Sequence, residues 1–190
     1  FSLMRAQVLD AFCQGRQPIV VSTPLAAVNR TINLEDFQRA YVDLRLEQDI
    51  SPSRLLRKLN HIGYYHSDII DSEGLYRHKG DSLYIWPVNA AHPFMLSFFG
   101  DEIERIDALD AQSYKVKSQK EMLTISPARE YPLRLSAIRR AEQHTQAQVD
   151  HFGRSQGLRN RAMNDLKNGL WFPGAEAYIA ASYPLFPVIK

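Results

Sequence analysis

Apolar and polar residues alternate strictly in the middle of the chain. In YVDLRLE (41–47), Val42, Leu44 and Leu46 share one face of an extended segment. A period of two is typical of a strand with one buried face. Further short apolar segments predict additional strands at 64–70, 75–79, 82–86, 93–99, 102–109 and 121–127. The pattern therefore predicts an antiparallel sheet in this part of the chain.

The helical period of about 3.6 residues occurs within this region and on both sides of it. One amphipathic helix is predicted after Ser51-Pro52, with its apolar stripe at Leu55, Leu56, Leu59 and Ile62 and Gly63 at its end. Two short helices are predicted from their caps, Thr23-Pro24 and Asn33. Longer helices are predicted over residues 3–14, 135–152 and 158–168.

The segment PIVVS (18–22) differs from the alternating strands because it is apolar throughout. A continuous apolar run is typical of a parallel strand that is buried on both faces. Helix, buried strand and helix in succession indicate an α/β unit. The predicted fold class is therefore α+β, in which an antiparallel-sheet module with one or two helices is inserted into a partial α/β domain. The predicted boundaries are 1–30, 31–128 and 129–190.

The amino-acid composition excludes few classes of function. The chain has 190 residues, 23 Lys and Arg against 21 Asp and Glu, and a single cysteine. The net charge of +2 does not indicate a dedicated nucleic-acid binder. One cysteine excludes an internal disulfide and CxxC metal sites, and a cytoplasmic location is expected. The sequence contains no signal peptide and no run long enough to span a membrane. It starts at Phe1 and ends on an apolar segment, which predicts a fragment of a longer protein.

Motifs for catalysis or cofactor binding are missing from the sequence. It has no GxxxxGK[ST], GxGxxG, GxSxG or HExxH pattern, so neither an enzyme activity nor a cofactor is predicted. The acidic segment GDEIERID (100–107) is interpreted as a solvated hairpin, and Cys13 as a buried structural thiol. A basic series could contact phosphates but is interrupted by acids, and it comprises Arg139, Arg140, Arg154, Arg159, Arg161 and Lys167.

The stretch GLYRHKGDSLYIWP (74–87) indicates a protein-binding surface. The strand period places Arg77 and Lys79 on one face together with Leu75. Trp86 ends the next strand at a rim, where large aromatic residues often anchor a partner. A solvated sheet face and a core tryptophan are the alternatives that the pattern leaves open.

Several motifs resemble the UvrA-interacting module shared by UvrB and the bacterial transcription-repair coupling factor, Mfd. They are GYYHSDII, GLYRHKGDSLYIWP, HPFMLSFFGDEIERIDAL and LTISPARE. The flanking segments RAQVLDAFCQGRQPIVVSTPLAAVNRTI and LKNGLWFPGAEAYIAASYPLFP are similar to those of the coupling factor. The resemblance implies a degenerate, helicase-like domain into which the module is inserted. It also implies that the module recruits UvrA. RNA polymerase, DNA and ATP would then be bound by other regions of the full-length protein.

The resemblance also implies which residues contact UvrA. The family positions fall on Tyr65, His66, Arg77, Lys79 and Trp86. Three of them depart from the coupling factor, since Tyr65 and Lys79 replace arginines and Trp86 replaces phenylalanine. Lysine keeps the charge of arginine but lacks its bidentate fork. Two alternatives are kept, a fragment of UvrB with the same role and a DNA-contacting domain that uses the Arg-rich helix.

Overall fold

The computed structural model describes residues 2–29, 31–152, 156–172, 174–180, 183 and 185–186. The helices are α1 (Ser2–Cys13), α2 (Pro24–Val28), α3 (Leu34–Gln38), α4 (Pro52–Ile62), α5 (Leu135–Phe152), α6 (Gln156–Lys167) and α7 (Ala175–Ala180). The strands are β1 (Thr31–Ile32), β2 (Val42–Arg45), β3 (Tyr65–His66), β4 (Leu75–Lys79), β5 (Ser82–Ile85), β6 (Phe94–Phe99), β7 (Glu102–Leu109), β8 (Val116–Gln119), β9 (Met122–Ile125) and β10 (Leu185–Phe186).

A six-stranded sheet is the largest element of the fold. Its strand order is β3-β4-β5-β6-β7-β8, and its neighbours are antiparallel except for the parallel pair β3-β4. The hairpin turns begin at Gly80 (φ 59°) and Gly100 (φ 62°), where a side chain would strain the backbone. Strands β2 and β9 form a separate antiparallel pair, as do β1 and β10. The α+β class predicted from the sequence is confirmed.

Helix α4 forms where its stripe and its ends predict it. Pro52 occupies its first turn, where a missing N–H removes no helical hydrogen bond. Leu55, Leu59 and Ile62 are buried on one side of the helix. Gly63 ends it in the left-handed conformation, with φ 103° and its N–H bonded to the carbonyl of Asn60.

The buried apolar residues form two clusters. The sheet cluster joins α4 to the inner face of the six-stranded sheet and to β2 and β9, and its fully buried members include Leu83, Leu96 and Ile106. The flank cluster draws on both ends of the chain. Its members are Ala6, Leu9, Ile32, Phe37, Tyr131, Leu133, Ala137, Ile138, Ala141, Met163, Leu166, Ala175, Ile179 and Tyr183. Residues before β2 and after β9 therefore pack together beside the sheet cluster.

The prediction of a buried strand at residues 18–22 is wrong. These residues form no strand, and Ile19 and Val21 are 96% and 95% exposed. A continuous apolar run requires neighbours on both sides of a sheet, and the part of the chain that the structure describes offers none beside it. The α/β arrangement expected for residues 1–30 is therefore absent from the described residues, whereas α1 and α2 are present.

Candidate functional site

The outer face is the side of the six-stranded sheet that carries Leu75, Arg77 and Lys79 on β4. Tyr76 lies between them in sequence and is buried in the sheet cluster, so its neighbours point away from that cluster. In register, Arg77 pairs with Tyr84 and Lys79 pairs with Ser82 on β5. The face predicted from the strand period is thus present in the structure.

Arg77 is half-buried at the centre of this face. Its Nη1 donates to the carbonyl of Asp68 at 2.9 Å, and its guanidinium lies 5.2 Å from the ring centroid of Tyr84. Both contacts leave the positive charge without an anionic partner. Among the described residues, no ion pair involves Arg77 or Lys79.

Lys79 is exposed at the end of β4, beside the turn at Gly80 and Asp81. The neighbouring loops lie over part of the same sheet face. The Tyr114 hydroxyl donates to the carbonyl of Ile70, which joins the β3–β4 connection to the loop after β7. Burial raises the pKa of this hydroxyl, and Asp71 adds to the effect, whereas the charge of Arg77 opposes it. These loops therefore lie near Arg77, whereas Lys79 remains exposed.

Trp86 follows the last residue of β5 and is half-buried. Its backbone continues the pairing with β4, because its N–H donates to the carbonyl of Leu75 at 3.0 Å. Its indole Nε1 donates to the carbonyl of Ala90 at 3.2 Å, which fixes the plane of the ring. The side chain is neither sealed in the core nor fully solvated, so part of the ring is available for contact.

Tyr65 and His66 lie on opposite sides of β3. Tyr65 pairs in register with Leu75, and His66 with Tyr76. The His66 ring contacts the Tyr76 ring at 5.7 Å in an edge-on arrangement, on the side away from Arg77. The structure therefore places Tyr65 and Trp86 on either side of Leu75 at one end of the outer face, with Lys79 at the other end and Arg77 between them. His66 belongs to the other face.

Tyr65 also borders the contact between the sheet and the flanks. Arg129 is buried, and its guanidinium lies 5.9 Å from the Tyr65 ring and 4.4 Å from the Trp171 ring. Its Nη2 donates to the carbonyl of Asn60 at 3.1 Å. Tyr65, Arg129 and Trp171 line a cavity of about 140 Å³ together with Gly63. Tyr65 thus belongs to both the outer face and this junction.

One pair of charged residues on the outer face was missed in the sequence. Asp107 was interpreted as part of a solvated hairpin, but its side chain is 0% exposed. Its Oδ2 lies 3.0 Å from Nη2 of Arg105, whose side chain is 50% exposed. The spacing of two residues on a strand, which puts both on one face, is the signal that could have found this pair.

The other candidates give little support for catalysis or DNA binding. Cys13 is half-buried with its Sγ 3.6 Å from the carbonyl of Leu34, and burial raises its pKa, which disfavours the reactive thiolate. In the basic series, Arg159 donates to the carbonyl of Glu142 at 3.0 Å, and Lys167 pairs with the Glu142 carboxylate at 2.6 Å. Arg154 lies outside the described residues.

Within the described part of the chain, no group of three or more His, Cys, Asp or Glu residues is arranged to hold a metal ion. The helices that the structure describes are all too short or too polar to cross a lipid bilayer.

Comparison with known proteins gives a family match and several relatives. The model of the UvrB interaction domain matches residues 42–131. UvrABC system protein B of Bacillus caldotenax is 32% identical over 148 residues, which are 77% of this chain and 22% of the relative. The protein of the same name from Fervidobacterium nodosum is 30% identical over 174 residues, 86% of this chain and 26% of the relative. The corresponding Bacillus subtilis protein is 29% identical over 148 residues, 77% of this chain and 22% of the relative.

The family model covers the segment from β2 to just past β9, which contains the six-stranded sheet and α4, and the relatives match this chain over more residues than that segment contains. The chain therefore contains a UvrB-like interaction module, and it spans about a quarter or less of the length of these relatives.

Proposed function

We propose that this chain is a recruitment module that binds UvrA through the outer face of its six-stranded sheet. Arg77 lies at the centre of the contact, with Lys79 toward one end and Trp86 and Tyr65 toward the other. The observation that carries the proposal is a pair of cations on one sheet face, neither of which forms an ion pair with another described residue, within a segment that matches the UvrB interaction domain. Charges presented in this way attract an acidic partner and fix its orientation.

His66 has a smaller place in this proposal than the resemblance implied. Its ring packs on Tyr76, on the face opposite to Arg77. A partner that covers the outer face would reach His66 only around the short edge strand β3. We therefore assign the contact to the outer face and treat His66 as a peripheral residue.

The relatives bear on which repair protein the segment comes from. Those compared above are named UvrABC system protein B, which favours the UvrB alternative over the transcription-repair coupling factor. UvrB carries a P-loop ahead of the module and the coupling factor does not. The gene sequence upstream of this segment decides between the two, and the proposed contact with UvrA is the same in both.

Catalysis forms no part of the proposed function. Any ATP, DNA or RNA polymerase contacts of the full-length protein would lie in other regions. A weaker alternative is direct DNA binding by α5 and α6. Among the described residues, Lys167 is neutralised by the carboxylate of Glu142 on α5, which reduces the positive charge that this helical pair presents. A gel-shift assay at two salt concentrations tests this alternative, since phosphate contacts give steep salt dependence.

Titration of purified UvrA from the same organism with this chain tests the proposal. The Lys79→Glu variant should weaken binding at least roughly tenfold, because it sets a like charge against an acidic partner. Trp86→Ala should also weaken it, since part of the indole ring is accessible. Arg45→Glu is the matched control because it reverses an exposed charge on a strand of the other sheet, β2.

The control should bind like the unchanged chain, and the thermal unfolding of Lys79→Glu should be close to that of the parent. Equal affinity of the parent and Lys79→Glu would refute the assigned face. Failure of the unchanged chain to bind UvrA at all would refute the proposed function.

A further inference from the structure

The strand register extends the cationic surface beyond β4. Lys79 pairs with Ser82 on β5, Ser82 pairs with Ser97 on β6, and Ser97 pairs with Arg105 on β7. Residues that are directly opposite in neighbouring strands point to the same face of a sheet. Lys79 and Arg105 therefore stand at the two ends of one row across four strands of the outer face.

The two middle residues of this row are small and polar. Ser82 and Ser97 have short side chains and are half-buried. Three strand spacings separate the backbones of β4 and β7, which is roughly 14 Å. Two basic residues on strands at this spacing, with two hydroxyls between them, form a polar row that runs across the strands. An extended segment of a partner protein can lie along such a row.

Asp107 keeps Arg105 in this position. The two residues are neighbours on the same face of β7, and the Arg105 Nη2 lies 3.2 Å from Oδ1 and 3.0 Å from Oδ2 of Asp107. The carboxylate is 0% exposed, whereas half of the Arg105 side chain remains in contact with solvent. The buried carboxylate therefore holds Nη2 of the guanidinium, and the exposed half of the Arg105 side chain can contact a partner.

A purely structural role explains this pair poorly. An ion pair between exposed groups contributes little to stability, and burial of a carboxylate is costly unless it is paired. A well-packed apolar residue at position 107 would stabilise the sheet as well without this cost. The pair is better explained if Asp107 orients the exposed side chain of Arg105.

We propose that the docking surface continues across the sheet to Arg105, and that its partner carries acidic groups facing both ends of the row from Lys79 to Arg105. This inference rests on the proposed function, because the partner is UvrA. Arg105 is a contact residue in it, and Asp107 is a positioning residue that acts through Arg105.

The test is the affinity of the chain for purified UvrA, measured for variants at each end of the row. Arg105→Gln alone leaves Asp107 buried and unpaired, which lowers the stability of the fold, so its thermal unfolding is recorded and its affinity is measured below the unfolding transition. The double variant Arg105→Gln/Asp107→Asn removes both charges together and keeps the shapes of the side chains similar. It should fold, and we expect roughly tenfold weaker binding to UvrA. Arg45→Gln serves as the control in the other sheet.

A further variant tests the positioning role. Asp107→Asn alone should weaken binding several-fold, because Arg105 loses the group that orients it. In the Arg105→Gln background the same change should have no further effect on affinity, since the residue through which it acts is gone. An equal further loss in that background would overturn the positioning role.

The outcomes separate this inference from the proposed function. Weaker binding by both Lys79→Glu and the Arg105→Gln/Asp107→Asn variant supports the extended surface. If Lys79→Glu weakens binding while the double variant binds like the parent, the extension is wrong and the proposed function stands. If only the double variant weakens binding, the row is wrong because one end carries the contact alone. If the unchanged chain does not bind UvrA, both proposals fail.

Discussion

The sheet region and the flanks differ in how completely they bury their apolar residues. In the sheet cluster, each strand buries one side of an alternating pattern, and Leu83 and Leu96 on adjacent central strands are 0% exposed. The flanks also contain a buried cluster, yet they leave Ile19 at 96% and Val21 at 95% exposure. The sheet region therefore closes its own core, whereas part of the apolar surface of the flanks is uncovered in this chain.

This difference follows from the two kinds of pattern. An alternating strand needs one buried face, which α4 and the neighbouring strands supply within the segment. A continuous apolar run needs neighbours on both faces, and such neighbours come from elsewhere in a larger sheet. The family match covers residues 42–131, which is the part whose patterns are satisfied locally.

The largest expected effect is loss of a central side chain from the sheet cluster. Leu96 lies on β6 in the interior of the six-stranded sheet and is 0% exposed. Leu96→Ala should lower the free energy of unfolding by about 3–5 kcal/mol, because it removes buried methyl groups and leaves a cavity. Urea unfolding followed by circular dichroism measures the change. A loss under about 1 kcal/mol would show that the sheet core repacks easily and is not the better closed region.

A backbone position at the junction should give the next largest effect. Gly63 has φ 103°, and a Cβ there would lie 2.7 Å from Nε of Arg129. Gly63→Ala should cost about 2–3 kcal/mol from the unfavourable φ and the clash with a buried guanidinium. Gly100→Ala is the matched control, since it has φ 62° but no atom within 4 Å of its Cβ. Equal losses for the two variants would show that Arg129 moves aside freely.

A buried hydroxyl within the sheet cluster should give a smaller loss. The Tyr64 side chain is 1% exposed, donates to the carbonyl of Ser126 at 2.9 Å and accepts from the N–H of Val88 at 3.1 Å. Tyr64→Phe should cost about 1–3 kcal/mol, because it leaves two buried backbone groups unsatisfied. Thermal unfolding of the variant and of Tyr84→Phe, which changes a half-buried tyrosine on the outer face, gives the comparison. Similar shifts for both would contradict the assigned role of the Tyr64 hydroxyl.

Local rules predicted most helices and strands. Caps and stripes fix α2, α3 and α4 within a few neighbouring residues, and the hairpin of β6 and β7 follows from alternation around a Gly-Asp turn. Strand β8 was missed because all of its residues are exposed, so it carries no apolar signal. Strand β9 was predicted, but its pairing with β2 outside the main sheet depends on contacts distant in sequence.

The candidate site was predictable only along a single strand. The period of two was sufficient to place Arg77 and Lys79 on one face of β4. The position of His66 depends on the parallel pairing of β3 with β4, which no local pattern specifies. Arg105 joins the same face through the register of three neighbouring strand pairs, and the burial of Asp107 depends on that assembled surface. Such non-local pairings lie outside what periodicity can indicate.

The contact between α4 and the flanks should respond weakly to pH. Burial lowers the pKa of His61, helped by the charges of Arg129 and Arg57 and opposed by the Lys167 carbonyl, which lies 3.3 Å from its Nε2. The folded chain therefore favours neutral His61, and stability falls as pH drops below about 6.5, where the unfolded chain takes up the proton. The fall in unfolding temperature between pH 7.5 and pH 5.5 should be smaller in His61→Gln. If the unfolding temperature falls equally with pH in the parent and in His61→Gln, His61 does not contribute to the pH dependence of stability.

The smallest expected effect is on the exposed run of the flanks. Ile19→Ser/Val21→Ser should change the free energy of unfolding by less than about 0.5 kcal/mol, because both side chains are already almost fully exposed. Val42→Ser on β2, where the valine is 6% exposed, should cost about 2 kcal/mol or more, since it places a hydroxyl in the sheet cluster. Urea unfolding of the two variants gives both values under the same conditions. A loss from the Ile19→Ser/Val21→Ser variant as large as that from Val42→Ser would mean that the run packs against the rest of the chain in solution. The flanks would then be as well closed as the sheet region, and the contrast between the two clusters would be lost.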